Sequence, residues 1–439
     1  MNAMARVLSK APKQTPGIGI TPLDEWISVI TKGDLQEYQL AMLNATLETA
    51  QKGRYYAQRG YPRELRELSQ LSKLPTIDAQ TIQSIGSGLI CAPLGEVSRI
   101  VTLRTSGSTG SPKRLFFSEE DLELTLDYFA NGLTAVACPG EAMMILLPCE
   151  RRGGVGDLIA RALERIPVRP VRFGPIGDLR ECASALSKES AAALVGAPVQ
   201  ILALARYCEA KKVDTKVRSA LLCTDNVPEA VKHELARIWD CEVYEHYGST
   251  EMGLGGAIDC DAHCGLHIRE NDLLFEVVDE QGTPVPDGVS GEVVFTTLTR
   301  RAMPLIRYKT GDVSRIVEGR CACGSDLKRL AATEGRLAGT VTMACGARLS
   351  IRELDEALLG LRAVCDYDIT TAPADDHVVI EIHTQRSIGD IRPAPVAEAL
   401  RSACLPESIK ATINVTVLPD ALPRREGKRK IFLQEAIIC

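Results

Sequence analysis

Four short stretches of this chain combine hydroxyls, glycines, carboxylates and lysine in ways that suit a phosphate-bearing ligand. The first is Thr105-Ser106-Gly107-Ser108-Thr109-Gly110-Ser111-Pro112-Lys113. Its small residues let backbone N–H groups approach an anion, its hydroxyls add donors, and Lys113 adds positive charge. It is not a P-loop, because no Gly-Lys-Ser/Thr follows at the required spacing. Composition alone also allows a Ser/Gly linker. A linker, however, needs neither the Pro-Lys end nor a place between an apolar run, Ile100–Leu103, and a helix.

The second stretch is Tyr247-Gly248-Ser249-Thr250-Glu251, after the expected strand Cys241–Tyr244. The ring can stack on a base, a hydroxyl can bond a phosphate, and the carboxylate can hold magnesium. Taken alone it is equally an ordinary strand-end turn. The third, Tyr308-Lys309-Thr310-Gly311-Asp312, offers a carboxylate to ribose hydroxyls. The fourth, Pro423-Arg424-Arg425-Glu426-Gly427-Lys428, reads by itself as a solvated basic tail.

Cysteine chemistry forms a separate group. Cys260 and His267, with Cys321 and Cys323, offer three thiolates and an imidazole, a closed tetrahedral set for structural zinc. Cys-x-Cys beside Gly324 resembles a metal knuckle. His263 and Cys264 compete as ligands, and thiols without metal are the plain alternative. The chain has 15 cysteines, an odd number scattered along 439 residues, unlike a small secreted disulfide framework.

The elements expected to position these stretches alternate between strand and helix. Residues 20 to 90 read as mainly helical, with Leu35–Gly60 the longest candidate. Ala142–Leu147, Ala192–Val195 and Ala220–Cys223 read as buried strands. Ser118, with Asp121 three residues on, opens a helix whose face is Leu122, Leu126, Phe129 and Leu133. Pro228 opens another, with Val231, Leu235 and Ile238 inward. Around Asp272–Thr297 the pattern becomes antiparallel, with strands Leu273–Val278 and Glu292–Thr297. Ser350 and Glu353 form a capping box before Ile351, Leu354 and Leu358, and Val378–Ile382 and Ile413–Val417 read as strands. The expectation is an α/β fold: a large N-terminal domain, 1–337, of mixed sheets with flanking helices, including an antiparallel subdomain at about 260–335, and a small α+β domain, 338–439.

In this order and at these separations, the four stretches resemble the adenylate-forming superfamily of acyl-CoA synthetases and luciferases. The likeness runs from about residue 35 to the end. It is similar to the phenylacetate–CoA ligase branch in its short length, in MPLIRYKTGDV, in CDAHCGLHI and in EGKRK. Enzymes of coenzyme F390 synthesis resemble the same branch. The resemblance implies ATP, magnesium, coenzyme A and a carboxylic acid as ligands, and some relatives carry a zinc site. It implies that Ser106, Ser108, Thr109 and Lys113 cradle the β- and γ-phosphates, with Gly107 and Gly110 in the same loop. Tyr247 and Gly248 would lie at adenine, Thr250 at the α-phosphate, Glu251 on magnesium, and Asp312 and Arg336 on the ribose. Lys428 would stabilise adenylation, and His246, Gly253 and Gly255 would wall the acyl pocket. Two departures stand out. Ala338 occupies the hinge position where Asp or Lys is expected, with Gly339 next to it. Cys223-Thr224-Asp225-Asn226-Val227 replaces a Gly-Ala-Glu-Pro-like run. Acyl transfer to a carrier protein, adenylyl transfer, and a non-catalytic nucleotide-binding regulator are the competing readings.

Composition narrows the partners. Hydrophobic residues make up 45% of the chain, and 57 acidic against 51 basic residues leave a net charge of −6. No basic tract stands out, which argues against nucleic acid. The longest apolar stretch, Ala191–Ala205, is broken by Pro198 and Gln200 and is too short to span a bilayer. No signal peptide is evident in MNAMARVLSKAPKQ, so a cytoplasmic enzyme is expected, with a homodimer left open.

Overall fold

Helix Lys32–Ala50 begins the described part of the chain. The computed structural model describes residues 32–103, 112–372, 377–386, 388–404, 412–421, 423 and 429–433. The expected helix Leu35–Gly60 is in fact two. The first ends at Ala50, and after a turn a short helix, Arg54–Gln58, follows. The break falls at Gly53, where a Cβ would come within 2.8 Å of Cys91 Sγ. Close packing thus requires glycine at a point where glycine also weakens a helix.

The chain divides into two compact units, Met1–Ala135 with Arg161–Ile166 and His246–Ala332, and Val136–Ala160 with Pro167–Glu245 and Thr333–Cys439. In the first unit, antiparallel strands Val97–Leu103 and Lys113–Ser118 flank residues 104–111. Helix Glu119–Gly132 follows directly, capped as its sequence implies. Ser118 Oγ accepts from Asp121 N, and the Asp121 carboxylate accepts from Ser118 N. Leu122, Leu126, Phe129 and Leu133 are all buried. Two antiparallel sets complete this unit. One is Leu273–Val278, Gly291–Thr297 and Tyr308–Ser314. The other runs Ala257–Ile258, Leu266–Ile268, Arg329–Leu330 and Ile316–Val317.

The second unit contains parallel strands in the order Arg169–Arg172, Ala142–Ile145, Ala193–Gly196, Ser219–Leu222 and Glu242–Tyr247, the last contributing its residues up to Glu245. The long apolar stretch divides at Pro198. Strand Ala193–Gly196 precedes it, and helix Pro198–Lys211 starts on it as first residue. Helix Glu229–Trp239 differs slightly from expectation. Pro228 has extended backbone and is the N-cap. The cap that proline cannot supply comes from Glu356, whose carboxylate oxygens accept from the N–H groups of Glu229 and Ala230, each at 2.8 Å. The same unit holds helix Ile351–Leu359 and strands Val364–Ala372, His377–Thr384, Thr412–Pro419 and Ile431–Leu433. Ser350 caps that helix by accepting from Glu353 N, but its hydroxyl donates to the Glu353 carboxylate. Among the described residues, no helix is long and apolar enough to cross a membrane.

Asp121 reaches further than its own helix. Its carboxylate also accepts from Arg301 N at 2.8 Å and Ala302 N at 3.2 Å, and it is buried. Asp121→Ala therefore removes the reciprocal half of the capping box and leaves the N–H groups of Arg301 and Ala302 without that acceptor. We expect a loss of about 3 kcal/mol in denaturant unfolding. A loss near 1 kcal/mol, that of an ordinary cap alone, would show that the long-range bonds contribute nothing.

Candidate active site

The first unit brings three of the four chemical stretches together. Strand Lys113–Ser118 delivers Lys113, the short helical turn Thr250–Met252 delivers Glu251, and strand Tyr308–Ser314 delivers Tyr308 and Asp312. Lys113 Nζ forms a buried ion pair with Glu251 Oε1. Tyr308 OH donates to the same carboxylate oxygen at 3.1 Å, and Tyr247 OH donates to Asp312 Oδ2 at 2.9 Å. The pattern is reciprocal, since each tyrosine-bearing stretch supplies its phenol to the carboxylate of the other. All five side chains are buried.

Burial pushes the Glu251 carboxyl upward, but the Lys113 ammonium and its hydrogen bonds outweigh that and hold it below the ordinary glutamate range. Glu251 is therefore an anion, the form a cation ligand requires. Buried polar atoms without partners lie nearby in the chain. Ser249 Oγ, His246 Nε2 and Arg300 Nη1 are sealed from solvent and make no hydrogen bond among the described residues. Desolvation pushes the His246 imidazole down to about 4, so it is neutral at neutral pH. Its ring lies against Tyr128 and Phe129, with centroids 5.9 and 5.7 Å away. Burial lowers the Arg300 guanidinium to about 10, opposed by Asp121 and Glu251, and it stacks 4.5 Å over Phe117.

The glycines around this turn are held tightly. A Cβ on Gly248 would come within 2.0 Å of Leu254 O, and one on Gly255 within 2.1 Å of the Tyr128 ring. Gly253 sits at φ 73°, closing the Thr250–Met252 turn, and Thr250 is half-buried. Arg336 is exposed in the second unit, and Ala338 lies in the turn Leu337–Gly339. Ser106, Gly107, Ser108, Thr109, Gly110 and Lys428 lie outside the described residues.

Tyr308 was not singled out as a site residue from sequence, although it starts the stretch that ends in Asp312. Arg307 anchors this strand. It is buried at φ 51°, pairs with Glu276 at 3.0 Å and donates to the carbonyls of Ser72, Leu74 and Gly282. No sequence pattern announced that role.

The cysteine cluster also assembles in the first unit. The ligand atoms of Cys260, His267, Cys321 and Cys323 all lie within 4.8 Å of one another. Cys260 and Cys321 sulfurs are 3.7 Å apart, and Cys323 Sγ lies 3.3 Å from His267 Nε2. Sulfurs at 2.3 Å from a shared tetrahedral zinc would be about 3.8 Å apart, so the set fits that ion. The competing ligands point elsewhere. His263 bonds Asp259 at 2.7 Å, and Cys264 is exposed with its sulfur near Ala262 O. Pairing of Arg329 with His267 across adjacent strands brings the two halves into register. The Arg329 guanidinium then donates to Cys264 O on one loop and to Glu318 O and Gly319 O on the other.

A cavity of about 820 Å³ in this unit is lined by Gln39, Tyr128, Arg269, Glu270, Phe275 and others, including His267. Lys113, Tyr247, Glu251 and Asp312 do not line it, so volume alone does not mark the chemistry here.

The Lys113–Glu251 pair can be tested on the isolated chain. Lys113→Met leaves a buried carboxylate without its cation and should cost about 3–5 kcal/mol in unfolding free energy. Because the Glu251 value is lowered in the fold, this contribution is complete above about pH 4.3 and fades as pH falls through the folded value. Adding Glu251→Gln should recover at least half of the loss at pH 7. A double variant as unstable as the sum of the singles would show that the two residues are not coupled.

Comparison with known proteins agrees with this geometry. A family model described as AMP-binding enzyme matches residues 92–298, a span that includes Lys113, Tyr247 and Glu251. Phenylacetate-coenzyme A ligase of Thermus thermophilus is 28% identical over 397 residues, covering 83% of this chain and 87% of that protein. The enzyme of the same name from Aromatoleum evansii is 24% identical over 426 residues, covering 92% and 93%. Among solved structures, a 2-hydroxyisobutyryl-CoA ligase in the postadenylation state, in complex with 2-HIB-AMP, shares the fold. Its TM-score is 0.78 at 17% identity, covering 97% of this chain and 94% of that one. These findings support an AMP-forming acid–CoA ligase: the chain matches the AMP-binding enzyme family over residues 92–298 and is similar to phenylacetate–CoA ligases over most of its length.

Proposed function

We propose that this ligase activates an aryl or arylacetic acid. The acid's carboxylate oxygen attacks the α-phosphorus of ATP, pyrophosphate leaves, and the thiol of coenzyme A then displaces AMP from the acyl-adenylate. The observation that carries this reading is the buried constellation of Lys113, Glu251, Tyr308, Tyr247 and Asp312. In this reading, Lys113 exchanges Glu251 for the β- and γ-phosphates, together with Ser106, Ser108 and Thr109. Glu251 holds magnesium, which supplies positive charge to the phosphate oxygens. Tyr247 lies against adenine, Thr250 contacts the α-phosphate, and Asp312 and Arg336 hold the ribose. A neutral His246, with Gly253 and Gly255, walls the acyl pocket, where an uncharged surface suits an aromatic ring.

The acid is read from the relatives' names, and the pocket chemistry is compatible with it. A pyrophosphate-release screen over aromatic, branched and straight-chain acids, with and without coenzyme A, tests it. Aromatic acids should give the highest kcat/KM, and a straight-chain preference would overturn the choice. The hinge alanine favours one second reading, transfer to an acceptor other than coenzyme A. Adenylate that accumulates with coenzyme A present would support that acceptor. The domain boundary near 337, with residues 338–439 reorienting between half-reactions, belongs to the same proposal. A cytoplasmic location fits the lack of any disulfide among the described cysteines.

Lys428 is assigned to stabilise charge as adenylation proceeds. Lys428→Ala should reduce adenylation by roughly two to three orders of magnitude, the scale of one lost oxyanion donor. Thioester formation from supplied acyl-adenylate should suffer far less. Equal losses in both steps would remove the assignment and leave Lys430 as the nearest rival.

Zinc in the Cys260, His267, Cys321 and Cys323 set has a structural role in this reading, because four protein ligands leave no open position. Purified protein should carry about one zinc per chain. Chelation should lower thermal stability while sparing turnover per folded molecule. Elemental analysis without metal would end the idea.

A further inference from the structure

The segment Cys223-Thr224-Asp225-Asn226 leaves the carboxyl end of the parallel strand Ser219–Leu222, with Thr224 at φ 76°. In open α/β sheets, ligands bind beyond the carboxyl ends of the strands. Asp225 Oδ2 accepts a hydrogen bond from the backbone N–H of Arg429 at 3.1 Å. Arg429 directly follows Lys428, and consecutive Cα atoms are about 3.8 Å apart, so whatever holds one residue restrains the other.

Arg429 is itself rooted in the α+β elements of the second unit. Its guanidinium is buried, pairs with Asp355 and donates to Asp366 Oδ1 at 3.0 Å. It lies 4.7 Å from the Tyr367 ring centre, and Tyr367 OH donates to Asp355 at 2.7 Å. Asp355, Asp366, Tyr367 and Arg429 all lie after residue 338, so they travel together in any reorientation of that segment. The bond to Asp225 ties them to a residue before 338, and such a movement would break it.

The neighbouring contacts between residues before and after 338 have the same separable character. Glu356 caps the N-terminus of helix Glu229–Trp239. Arg206 donates to Leu359 O, Leu361 O and Val364 O, at the end of helix Ile351–Leu359. A carboxylate at one helix start and a guanidinium at another helix end are each favourable with the helix dipole. Such directional contacts select one arrangement.

We propose that Asp225 is a positioning residue for adenylation: by holding the main chain of Arg429, the chain neighbour of Lys428, it favours the arrangement used in that step and lets go for thioester formation. The inference rests on the ligase reading and on the role given to Lys428. It also assigns a purpose to the unusual Cys223–Val227 segment, whose carboxylate serves the protein's own backbone.

The test uses the full chain with Asp225→Ala and Asp225→Asn. Acid-dependent ATP–pyrophosphate exchange should fall roughly ten- to a hundredfold in the alanine variant, the range for one hydrogen bond to a charged group. Thioester formation from supplied acyl-adenylate and coenzyme A should be unchanged or faster. Asparagine keeps an oxygen acceptor and should restore most of the exchange rate. Hydrogen–deuterium exchange of a peptide covering residues 429–433 should accelerate in the alanine variant, independently of catalysis. Equal loss in both half-reactions, or unchanged amide protection, overturns the proposal while leaving the ligase reading in place. Wild-type protein that exchanges pyrophosphate with no acid defeats the ligase reading, and the proposal with it.

Discussion

Two buried carboxylates, Glu251 and Asp312, are the constraint around which the candidate site is organised. An ionised carboxylate removed from water is costly unless it is paired and hydrogen-bonded. Here the partners are a phenol on each and an ammonium on one. The crossed arrangement makes the two chain stretches interdependent. Moving the Tyr308–Ser314 strand would strip Glu251 of its phenol and deprive Tyr247 of its acceptor in one step. Arg307 at the start of that strand, bonded to three carbonyls and one carboxylate, resists such a shift. The site is thus held by groups that would each lose a partner on displacement, which is a stronger restraint than contact area alone.

Buried arginines recur as the means of fixing irregular backbone. Arg329 gathers carbonyls from both loops of the cysteine cluster, Arg206 gathers three at a helix end, and Arg307 gathers three before the strand Tyr308–Ser314. A guanidinium has five donors in a planar fork, so one side chain can satisfy several carbonyls that no strand or helix would pair. Loops that carry chemistry cannot hydrogen-bond as regular structure does. They need such a hub to be placed reproducibly.

Several buried polar atoms near the candidate site have no partner among the described residues. His246 Nε2, Ser249 Oγ and Arg300 Nη1 belong to the stretches around the Tyr247 turn or to the strand end that faces Asp121. Unsatisfied groups of this kind lower stability and are tolerated where a substrate supplies the missing bond. The neutral state of His246 follows from the same burial. A neutral imidazole between two aromatic rings is closer to an apolar wall than to a cation.

Local chemistry in the chain determined a good deal. The Ser118–Asp121 capping box, the four-residue apolar face behind it, the division of the long apolar stretch at Pro198, and the antiparallel strands after residue 272 all follow from patterns a few residues long. So did the choice of Lys113, Tyr247, Glu251 and Asp312, and the Cys260, His267, Cys321 and Cys323 set, because residue type and spacing are local properties. What tertiary structure decided was every partnership between distant residues. It chose Cys260, Cys323 and His267 over Cys264 and His263 through strand register, and it split the first long helix where Gly53 meets Cys91. It supplied Glu356 as the cap that Pro228 lacks, crossed Tyr247 with Tyr308, and tied Arg429 to Asp225. These contacts join residues far apart in the chain, and their energy depends on burial and direction. Neither quantity exists until the chain has folded.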